Sequence, residues 1–263
     1  MIEVQALNKQ FSSGRGRHRR VVMAVAGVDF TAANGRITGL LGPNGAGKTT
    51  TLRIAAALIE PDSGRVMVDG IEVASEPTKA LARMGMLSDA RGLYPRLTAR
   101  ENIVYFGRLH GMSDAAADAR AQALAEVLDM KNLLDRRSEG FSQGERMKTA
   151  LARALVHDPA NIVLDEPTNG LDVLATRALR DTLRRLRDEH GKCIIFSTHI
   201  MQEVERLCDH VVVVAHGRTV AAGSVPQLMA QAQCDDFEEA FVKLAFGSGQ
   251  SLAQVPNSVG AQP

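Results

Sequence analysis

The amino-acid sequence predicts an α/β fold built around a largely parallel sheet. After about the first thirty residues, short apolar runs alternate with amphipathic helical patterns, which is typical of βαβ units. One of these runs leads into a glycine-rich turn and then a helical pattern. The chain has 263 residues, of which 45% are apolar and 23% are charged, so it can bury a substantial core.

Composition argues against several other classes of protein. The 31 Lys and Arg residues balance the 30 Asp and Glu residues. A formal net charge of +1 is far from the strongly positive charge that is typical of nucleic-acid-binding proteins. The longest apolar runs, Val21–Val28 and Val211–Ala215, are much shorter than a membrane-spanning helix. The first ten residues do not resemble a secretory signal, and the 3 cysteines lack the spacing of a zinc site or disulfide framework. We therefore expect a cytoplasmic protein that does not bind nucleic acid.

Two strands are expected before the glycine-rich turn. Ile2–Leu7 and Val21–Phe30 are rich in apolar and β-branched residues, and the loop Ser12–Arg20 separates them. We expect the two strands to pair as an antiparallel ribbon. The basic side chains of the loop indicate a solvated charged segment rather than a contact with phosphate or lipid headgroups. They are Arg15, Arg17, Arg19 and Arg20.

The first half of the chain continues with alternating elements and then becomes helical. Thr98-Ala-Arg-Glu101 is a capping box, which predicts that a helix begins there. From about residue 90 to 156 helical patterns dominate, so we expect an all-helical insert. The elements expected in this half are a strand at Arg36–Leu41, a helix at Lys48–Ala57, a strand at Gly64–Val68 followed by the turn Asp69-Gly70, a helix near Thr78–Arg83, a strand at Met84–Leu87, and helices at Thr98–Leu109 and Ser113–Leu128.

Strand character returns in the second half, where apolar runs again alternate with helical stretches. The long helix Val173–His190 has an apolar stripe that predicts a core-facing side, formed by Leu179, Leu183 and Leu186. Residues 247–263 are rich in Gly, Ser, Gln and Pro, and we expect a disordered tail. The remaining expected elements are strands at Asn161–Asp165, Cys193–Ser197 and His210–Ala215 and helices over residues 224–246.

The glycine-rich turn matches a phosphate-binding motif. Gly42-Pro-Asn-Gly-Ala-Gly-Lys-Thr49 satisfies the P-loop pattern G-x-x-x-x-G-K-[ST] and lies between an expected strand and an expected helix. Backbone N–H groups of such a loop point at phosphate oxygens, and the helix N-terminus adds positive charge. Lys48 would neutralise the β and γ phosphates, and the Thr49 hydroxyl would bind Mg²⁺. The nucleotide-binding residues expected are Gly42, Pro43, Asn44, Gly45, Ala46, Gly47, Lys48, Thr49 and Thr50.

A second motif supplies two carboxylates. The apolar strand Ile162-Val-Leu-Asp165 ends in Asp165, a position suited to holding hydrated Mg²⁺ beside a P-loop. Glu166 follows directly and can orient or deprotonate a water that attacks the γ-phosphate. Alone, these residues could be only a strand end and a turn, but beside a P-loop the catalytic interpretation is favoured. ATP and Mg²⁺ are the expected cofactors.

A third motif, Phe141-Ser-Gln-Gly-Glu145, lies directly before another helical pattern. Ser142 and the Gly144 N–H would then lie at a helix N-terminus and form a second anion site. This order of motifs resembles the ATP-binding cassette (ABC) family, whose signature is Leu-Ser-Gly-Gly-Gln, and the resemblance covers Met1 to about Gly223. The signature here differs from that pattern at three positions, and Glu145 places a negative charge near an incoming nucleotide.

The resemblance implies roles for four further residues. Asn169-Gly-Leu-Asp172 matches the D-loop of the family, which makes Asp172 a nucleotide-site residue. His199, just after an expected strand, matches the switch histidine that contacts the γ-phosphate, and Phe11 matches an aromatic residue that stacks on adenine. By themselves both would be interpreted as structural residues. Asp89 occupies the position of the Q-loop glutamine, where it could still meet Mg²⁺ or water but cannot donate a hydrogen bond when ionised.

The resemblance also implies partners. In this family the signature of one cassette closes over ATP held by another, so we expect a second copy of this chain in a head-to-tail dimer. A separate integral-membrane permease would hold the dimer at the inner face of the cell membrane. Three segments most resemble bacterial cassettes of exporters, among them sodium exporters, with export of a drug, lipid or polysaccharide as the alternative. They are Ser88–Asn102, Phe141–Leu174 and Phe237–Leu244.

The expected organisation is a single ABC nucleotide-binding domain over residues 1–246. It would combine a RecA-like P-loop NTPase core at about 1–89 and 157–222, an antiparallel β subdomain, a helical subdomain at about 90–156 and C-terminal helices at 224–246. A non-transport ABC protein acting on DNA or ribosomes is disfavoured, because the interval from Lys48 to Ser142 is too short for a long coiled coil and there is one cassette. A P-loop kinase would have no use for the signature, the D-loop and His199.

Overall fold

The expected α/β fold is confirmed in this computed structural model, which describes residues 1–13, 20–88 and 92–247. The strands are β1 Ile2–Ser13, β2 Arg20–Ala32, β3 Ile37–Leu41, β4 Ser63–Val68, β5 Ile71–Glu72, β6 Met84–Leu87, β7 Asn161–Asp165, β8 Cys193–Thr198, β9 His210–Ala215 and β10 Arg218–Gly223. The helices are α1 Lys48–Ala55, α2 Pro77–Leu81, α3 Ala99–Leu109, α4 Asp114–Val127, α5 Gln143–Leu155, α6 Val173–Asp188, α7 Met201–Leu207, α8 Val225–Ala232 and α9 Phe237–Phe246, with a 3-10 turn at Lys131–Leu133. Within the described ranges, no helix is both long enough and apolar enough to cross a bilayer.

Several expectations concern residues outside these ranges. They are the Q-loop position Asp89, the loop residues Arg15, Arg17 and Arg19, and the tail from residue 248 to 263.

The four-stranded sheet is antiparallel, with the order β2-β1-β4-β5. The expected pairing of the first two strands is confirmed, from Ile2 opposite Ala32 to Ser13 opposite Arg20. The expectation that the loop begins at Ser12 is wrong, because Ser12 still pairs across the ribbon. Register shifts interrupt the ladder before this point, between Val4 and Leu7, between Leu7 and Asn8 and between Lys9 and Gln10, yet the pairing resumes after each of them.

The six-stranded sheet has the order β10-β9-β3-β8-β7-β6 and is parallel except for β10. β10 is not among the strands expected from the sequence, because its alternation of exposed and buried residues is that of a short edge strand. β3, β8 and β7 are adjacent, so Leu41 lies opposite Thr198, and Asp165 lies opposite Ser197. The carboxyl ends of these strands meet at one edge of the sheet, which is where ligands bind in open α/β sheets.

Helices cover both faces of this sheet. The stripe Leu179, Leu183 and Leu186 of α6 is buried as expected, in a core shared with α3, α4 and α5. On the other face, α1 packs between the central strands and the antiparallel sheet. The C-terminal helices α8 and α9 cover β9, with Phe237 and Phe241 in a third apolar cluster. β3, β7 and β8 are buried over their whole lengths, which explains why their sequences are mostly apolar and do not alternate with polar residues.

Thr38 in β3 carries a buried hydroxyl with no hydrogen-bond partner in the described part of the chain. Thr38→Val keeps the branched shape and removes the unpaired hydroxyl, so we expect the free energy of unfolding to rise by about 1 kcal/mol. Thr198→Val is the matched control, because Thr198 Oγ1 donates to Glu203 Oε2 at 3.0 Å. Removing that hydroxyl should lower the free energy of unfolding. Urea unfolding followed by circular dichroism measures both, and a less stable Thr38→Val protein would contradict this account.

Candidate active site

The P-loop connects β3 to α1 at the carboxyl edge of the parallel sheet. Gly45 and Gly47 have φ values of 80° and 101°, which non-glycine residues rarely adopt. At two positions a side chain also has no room: a Cβ on Gly42 would lie 2.2 Å from the Val214 carbonyl oxygen, and one on Gly47 would lie 2.4 Å from the Ala24 carbonyl oxygen. The glycines are therefore needed for the path of the loop and for its packing.

The N-terminus of α1 lacks a side-chain cap, since its N-cap residue is Gly47. The other helices of eight or more residues in the described chain each have a side-chain cap that accepts a backbone N–H. Those caps are Thr98, Ser113, Ser142, Asp172, Ser224 and Asp236. The first N–H groups of α1 are thus left for an anion, which agrees with the phosphate-binding role expected from the motif.

Lys48 directs its ammonium group into the P-loop. Nζ donates to the carbonyl oxygens of Gly42 at 2.7 Å and Pro43 at 3.2 Å, and it lies 3.5 Å from Glu166 Oε1. Burial lowers the pKa of Lys48 below its usual value, while Glu166 and then Asp165 oppose that shift. A cation held inside the loop by carbonyl oxygens is placed to neutralise phosphate oxygens there.

Asp165 and Thr49 form the part of the site that suits a metal. Thr49 Oγ1 donates to Asp165 Oδ1 at 3.0 Å, and Asp165 is buried at the end of β7. In the described chain no cluster of three or more His, Cys, Asp or Glu side chains could hold a metal. Two adjacent hard oxygens nevertheless fit Mg²⁺, which usually takes one or two protein ligands together with water and substrate phosphates.

Ser197 holds Asp165 and Glu166 in place and is not among the site residues expected from the sequence. Its Oγ donates to Asp165 Oδ1 at 2.7 Å and accepts the Glu166 N–H at 3.0 Å. The sequence gives only a weak signal for this role, because Ser197 is simply a serine at the end of the mostly apolar run Cys193–Ser197. Its meaning depends on the pairing of β8 with β7, because that pairing places Ser197 opposite Asp165.

Glu166 and His199 lie together at the mouth of the site. His199 Nδ1 is 3.0 Å from Glu166 Oε2, and the side chains are 40% and 12% exposed. Glu166 has a φ of 46°, a left-handed conformation that is uncommon outside glycine and that clusters at functional sites. From this turn the two oxygens of the Glu166 carboxylate reach Lys48 and His199.

A buried carboxylate links the loop that follows β7 to the end of β8. Glu203 Oε2 in α7 accepts hydrogen bonds from Thr168 Oγ1 and Thr198 Oγ1, both at 3.0 Å. Thr168 precedes the expected D-loop, and Thr198 precedes His199 directly. Glu203 is not among the residues expected from the sequence, because a glutamate in an amphipathic helix normally indicates a solvated face.

The expected signature and D-loop residues line a different cleft, called the signature cleft below. Ser142, Gly144 and Asp172 all border a cavity of about 760 Å³ between α5 and α6. Ser142 and Asp172 are also the N-caps of these helices. In the described residues, no hydrogen bond or ion pair joins Ser142 to Lys48 or Glu166. One chain therefore presents two separate groups of expected site residues.

Phe11 lies in β1 opposite Val22, where its side chain is 41% exposed. Lys9 Nζ lies 5.8 Å from the centroid of its ring. An exposed aromatic face on the ribbon is available to a flat ligand, and the adenine-stacking role expected for Phe11 stays a prediction.

Comparison with known proteins places the chain among cassette proteins. The family described as ABC transporter matches residues 25–169. ABC transporter ATP-binding protein NatA of Bacillus subtilis (strain 168) is 42% identical over 225 residues, which cover 85% of this chain and 91% of that protein. Nod factor export ATP-binding protein I of Burkholderia lata is 42% identical over 217 residues, which cover 82% of this chain and 71% of that protein.

Solved structures show the same likeness. The structure of an ATP-binding subunit of an ABC transporter superposes with a TM-score of 0.78 at 28% identity, covering 92% of this chain and 98% of that one. The dimeric structure of a bacterial ABC transporter cassette has a TM-score of 0.76 at 24% identity, covering 85% of this chain and 98% of that one, which is a likeness of fold.

Proposed function

This chain belongs to the ABC transporter family of ATP-binding proteins, and from that premise we propose that it is the motor subunit of an exporter. Two copies would enclose two ATP molecules and drive a separate membrane permease. The family is one of ATPases, so ATP hydrolysis is the activity from which transport would draw its energy. The observation that carries the proposal is the meeting of Lys48, Asp165, Glu166 and His199 beside the uncapped N-terminus of α1.

The chain's own residues account for nucleotide binding. The backbone N–H groups of the P-loop and of the first turn of α1 would bind the phosphates, and Lys48 would neutralise their charge. Thr49 and Asp165 would hold the metal, and when bound, Mg²⁺ withdraws charge from the phosphates during transfer. Phe11 would stack on the base.

Glu166 is the proposed general base for hydrolysis. Its carboxylate would accept a proton from the attacking water as the oxygen of that water bonds to the γ-phosphorus. The bond from the γ-phosphorus to the bridging oxygen then breaks, and ADP leaves with that oxygen. His199 would orient the carboxylate through the 3.0 Å contact, while its exposed ring can meet the γ-phosphate.

Ser197→Ala tests the support of the metal-holding carboxylate. The substitution leaves Asp165 without one hydrogen-bond donor and the Glu166 N–H without its acceptor. We expect half-maximal hydrolysis to need about tenfold more Mg²⁺, because residues that support metal ligands typically carry effects of this size. Titration of ATPase activity with Mg²⁺ measures the change. Ser75→Ala is the control, because Ser75 is exposed and its hydroxyl donates to Glu72 rather than to a residue of the site. An unchanged titration would contradict the role of Ser197.

The separation of the two groups of site residues supports a dimer. If Ser142 and Asp172 of one copy face the P-loop of another, each ATP is enclosed by both chains. Val173 and Leu174 next to Asp172 are 80% and 78% exposed, so large apolar side chains adjoin the cleft at the proposed interface. A head-to-tail arrangement would cover them and complete both sites.

The membrane partner and the direction of transport are inferred from the relatives of this chain. One relative is named for Nod factor export, which supports export as the direction. Sodium ions are the first cargo to test, since the sequence resembles cassettes of sodium exporters. Drugs, lipids and polysaccharides are the other candidates. The permease would hold the chain at the cytoplasmic face of the membrane.

A pull-down from native membranes tests this function. Tagged chain is captured in detergent, bound proteins are identified by mass spectrometry, and ATPase activity is measured with and without them. We expect a multi-span permease that raises turnover. Sodium uptake into inverted vesicles containing the complex then tests the cargo, with Lys48→Ala as the inactive control. Recovery of ribosomal or DNA-associated proteins without a membrane protein would contradict the proposal and favour a non-transport ABC ATPase.

A further inference from the structure

Glu145 is part of the cap of α5 and also a charge beside the proposed second half of the nucleotide site. Its Oε2 accepts the Ser142 N–H at 2.8 Å, and Ser142 Oγ accepts the Glu145 N–H at 3.2 Å. A carboxylate in the first turn stabilises its own helix. However, the same negative charge lies beside the hydroxyl that the proposed dimer turns towards a phosphate, and like charges brought together at an interface oppose association.

Arg136 pairs with the carboxylate oxygen that does not join the cap. Its Nη1 lies 2.8 Å from Glu145 Oε1, and its guanidinium carbon lies 5.3 Å from the centroid of the Phe141 ring. Its backbone is also held in place, since the Arg136 N–H donates to Leu133 O at 3.0 Å and its carbonyl accepts the Ala99 N–H at 3.1 Å. The cation is therefore positioned within one chain, before any second copy approaches.

The pair is charged and open to solvent. The Ser142 N–H lowers the pKa of Glu145, and Arg136 adds to this effect against the opposing influence of burial, so the carboxylate is ionised at neutral pH. The side chains of Arg136 and Glu145 are 52% and 26% exposed. A phosphate that approached Ser142 would therefore meet a neutral pair, and without Arg136 it would meet an anion.

We propose that Arg136 is a positioning residue, which neutralises Glu145 so that Ser142 and the N-terminus of α5 can receive the γ-phosphate of ATP bound by a second copy of the chain. This inference rests on the proposed function, because it needs the head-to-tail dimer. It implies that the requirement for Arg136 disappears when residue 145 carries no charge.

A double-mutant cycle in the full-length chain tests this dependence. The four proteins are the unchanged chain, Arg136→Ala, Glu145→Gln and the double variant. With Glu145 present, we expect Arg136→Ala to raise the KM for ATP and weaken ATP-dependent dimerisation by about tenfold, with kcat at saturating ATP nearly unchanged. With Glu145→Gln present, the same change should raise the KM for ATP and weaken dimerisation by less than about twofold. Arg136→Lys keeps the charge and should retain most of the affinity.

Dimerisation is measured by analytical ultracentrifugation with ATP and Mg²⁺, with Glu166→Gln added to all four proteins to prevent turnover. Melting temperatures report any loss of packing on Phe141. If Arg136→Ala weakens dimerisation equally with and without Glu145→Gln, Arg136 acts through the nucleotide or through packing. That result overturns this inference and leaves the proposed dimer unaffected. If Glu166→Gln alone forms no dimer with ATP, the dimer in the proposed function fails, and this inference fails with it.

Discussion

In Glu166→Gln, we expect ATP turnover to fall by about 10² to 10⁴-fold, the range that a positioned general base contributes. The amide has nearly the same shape as the carboxylate but cannot accept the proton of the attacking water at neutral pH. ATP binding should persist, because the change removes a negative charge 3.5 Å from Lys48 and leaves the P-loop intact. Phosphate release measures turnover, and equilibrium binding of a fluorescent ATP analogue measures affinity.

The same variant should accumulate as a dimer when ATP and Mg²⁺ are present, since in the proposed dimer the γ-phosphate would bridge the two copies and is not removed. Glu205→Gln is the matched control, because Glu205 is an exposed glutamate of α7 and should change neither turnover nor assembly. Near-normal hydrolysis by Glu166→Gln would refute the assignment of Glu166 as the base.

Mixing two inactive variants should restore activity if each ATP lies between two chains. Lys48→Ala removes the P-loop cation, and Ser142→Arg places a bulky cation in the signature cleft. Neither protein alone can form an intact site. In the proposed head-to-tail arrangement, a mixed dimer would have one intact site, composed of Lys48 from one chain and Ser142 from the other.

With random exchange at equal concentrations, about half of the dimers are mixed, so we expect about a quarter of the unmutated activity if the two sites act independently. ATPase assays across a series of mixing ratios measure the recovery, which should be greatest near equal amounts. A mixture of Lys48→Ala with Lys48→Ala/Ser142→Arg is the control and should stay inactive. Absence of recovery in the test mixture would argue against a site shared between chains.

Much of the fold could be predicted because its signals are local. The capping box at Thr98 requires only residues three positions apart, and the helix begins there with both reciprocal hydrogen bonds present. The apolar runs of β7 and β8 likewise predict buried strands by themselves. The length of the first ribbon and the edge strand β10 could not be predicted in this way, because polar residues enter these strands only through pairing with a neighbour.

The sequence by itself determined which chemistry to expect of this protein. The P-loop, the Asp165–Glu166 pair and the Ser142 motif are contiguous, and their spacing predicts which groups bind phosphate, metal and water. Only the tertiary structure decided which of these groups meet. Strand order differs from chain order, so β8 lies between β3 and β7, and this brings Ser197 to Asp165. The order depends on how apolar faces are buried by helices on both sides of the sheet, and that balance is a property of the whole chain rather than of any motif.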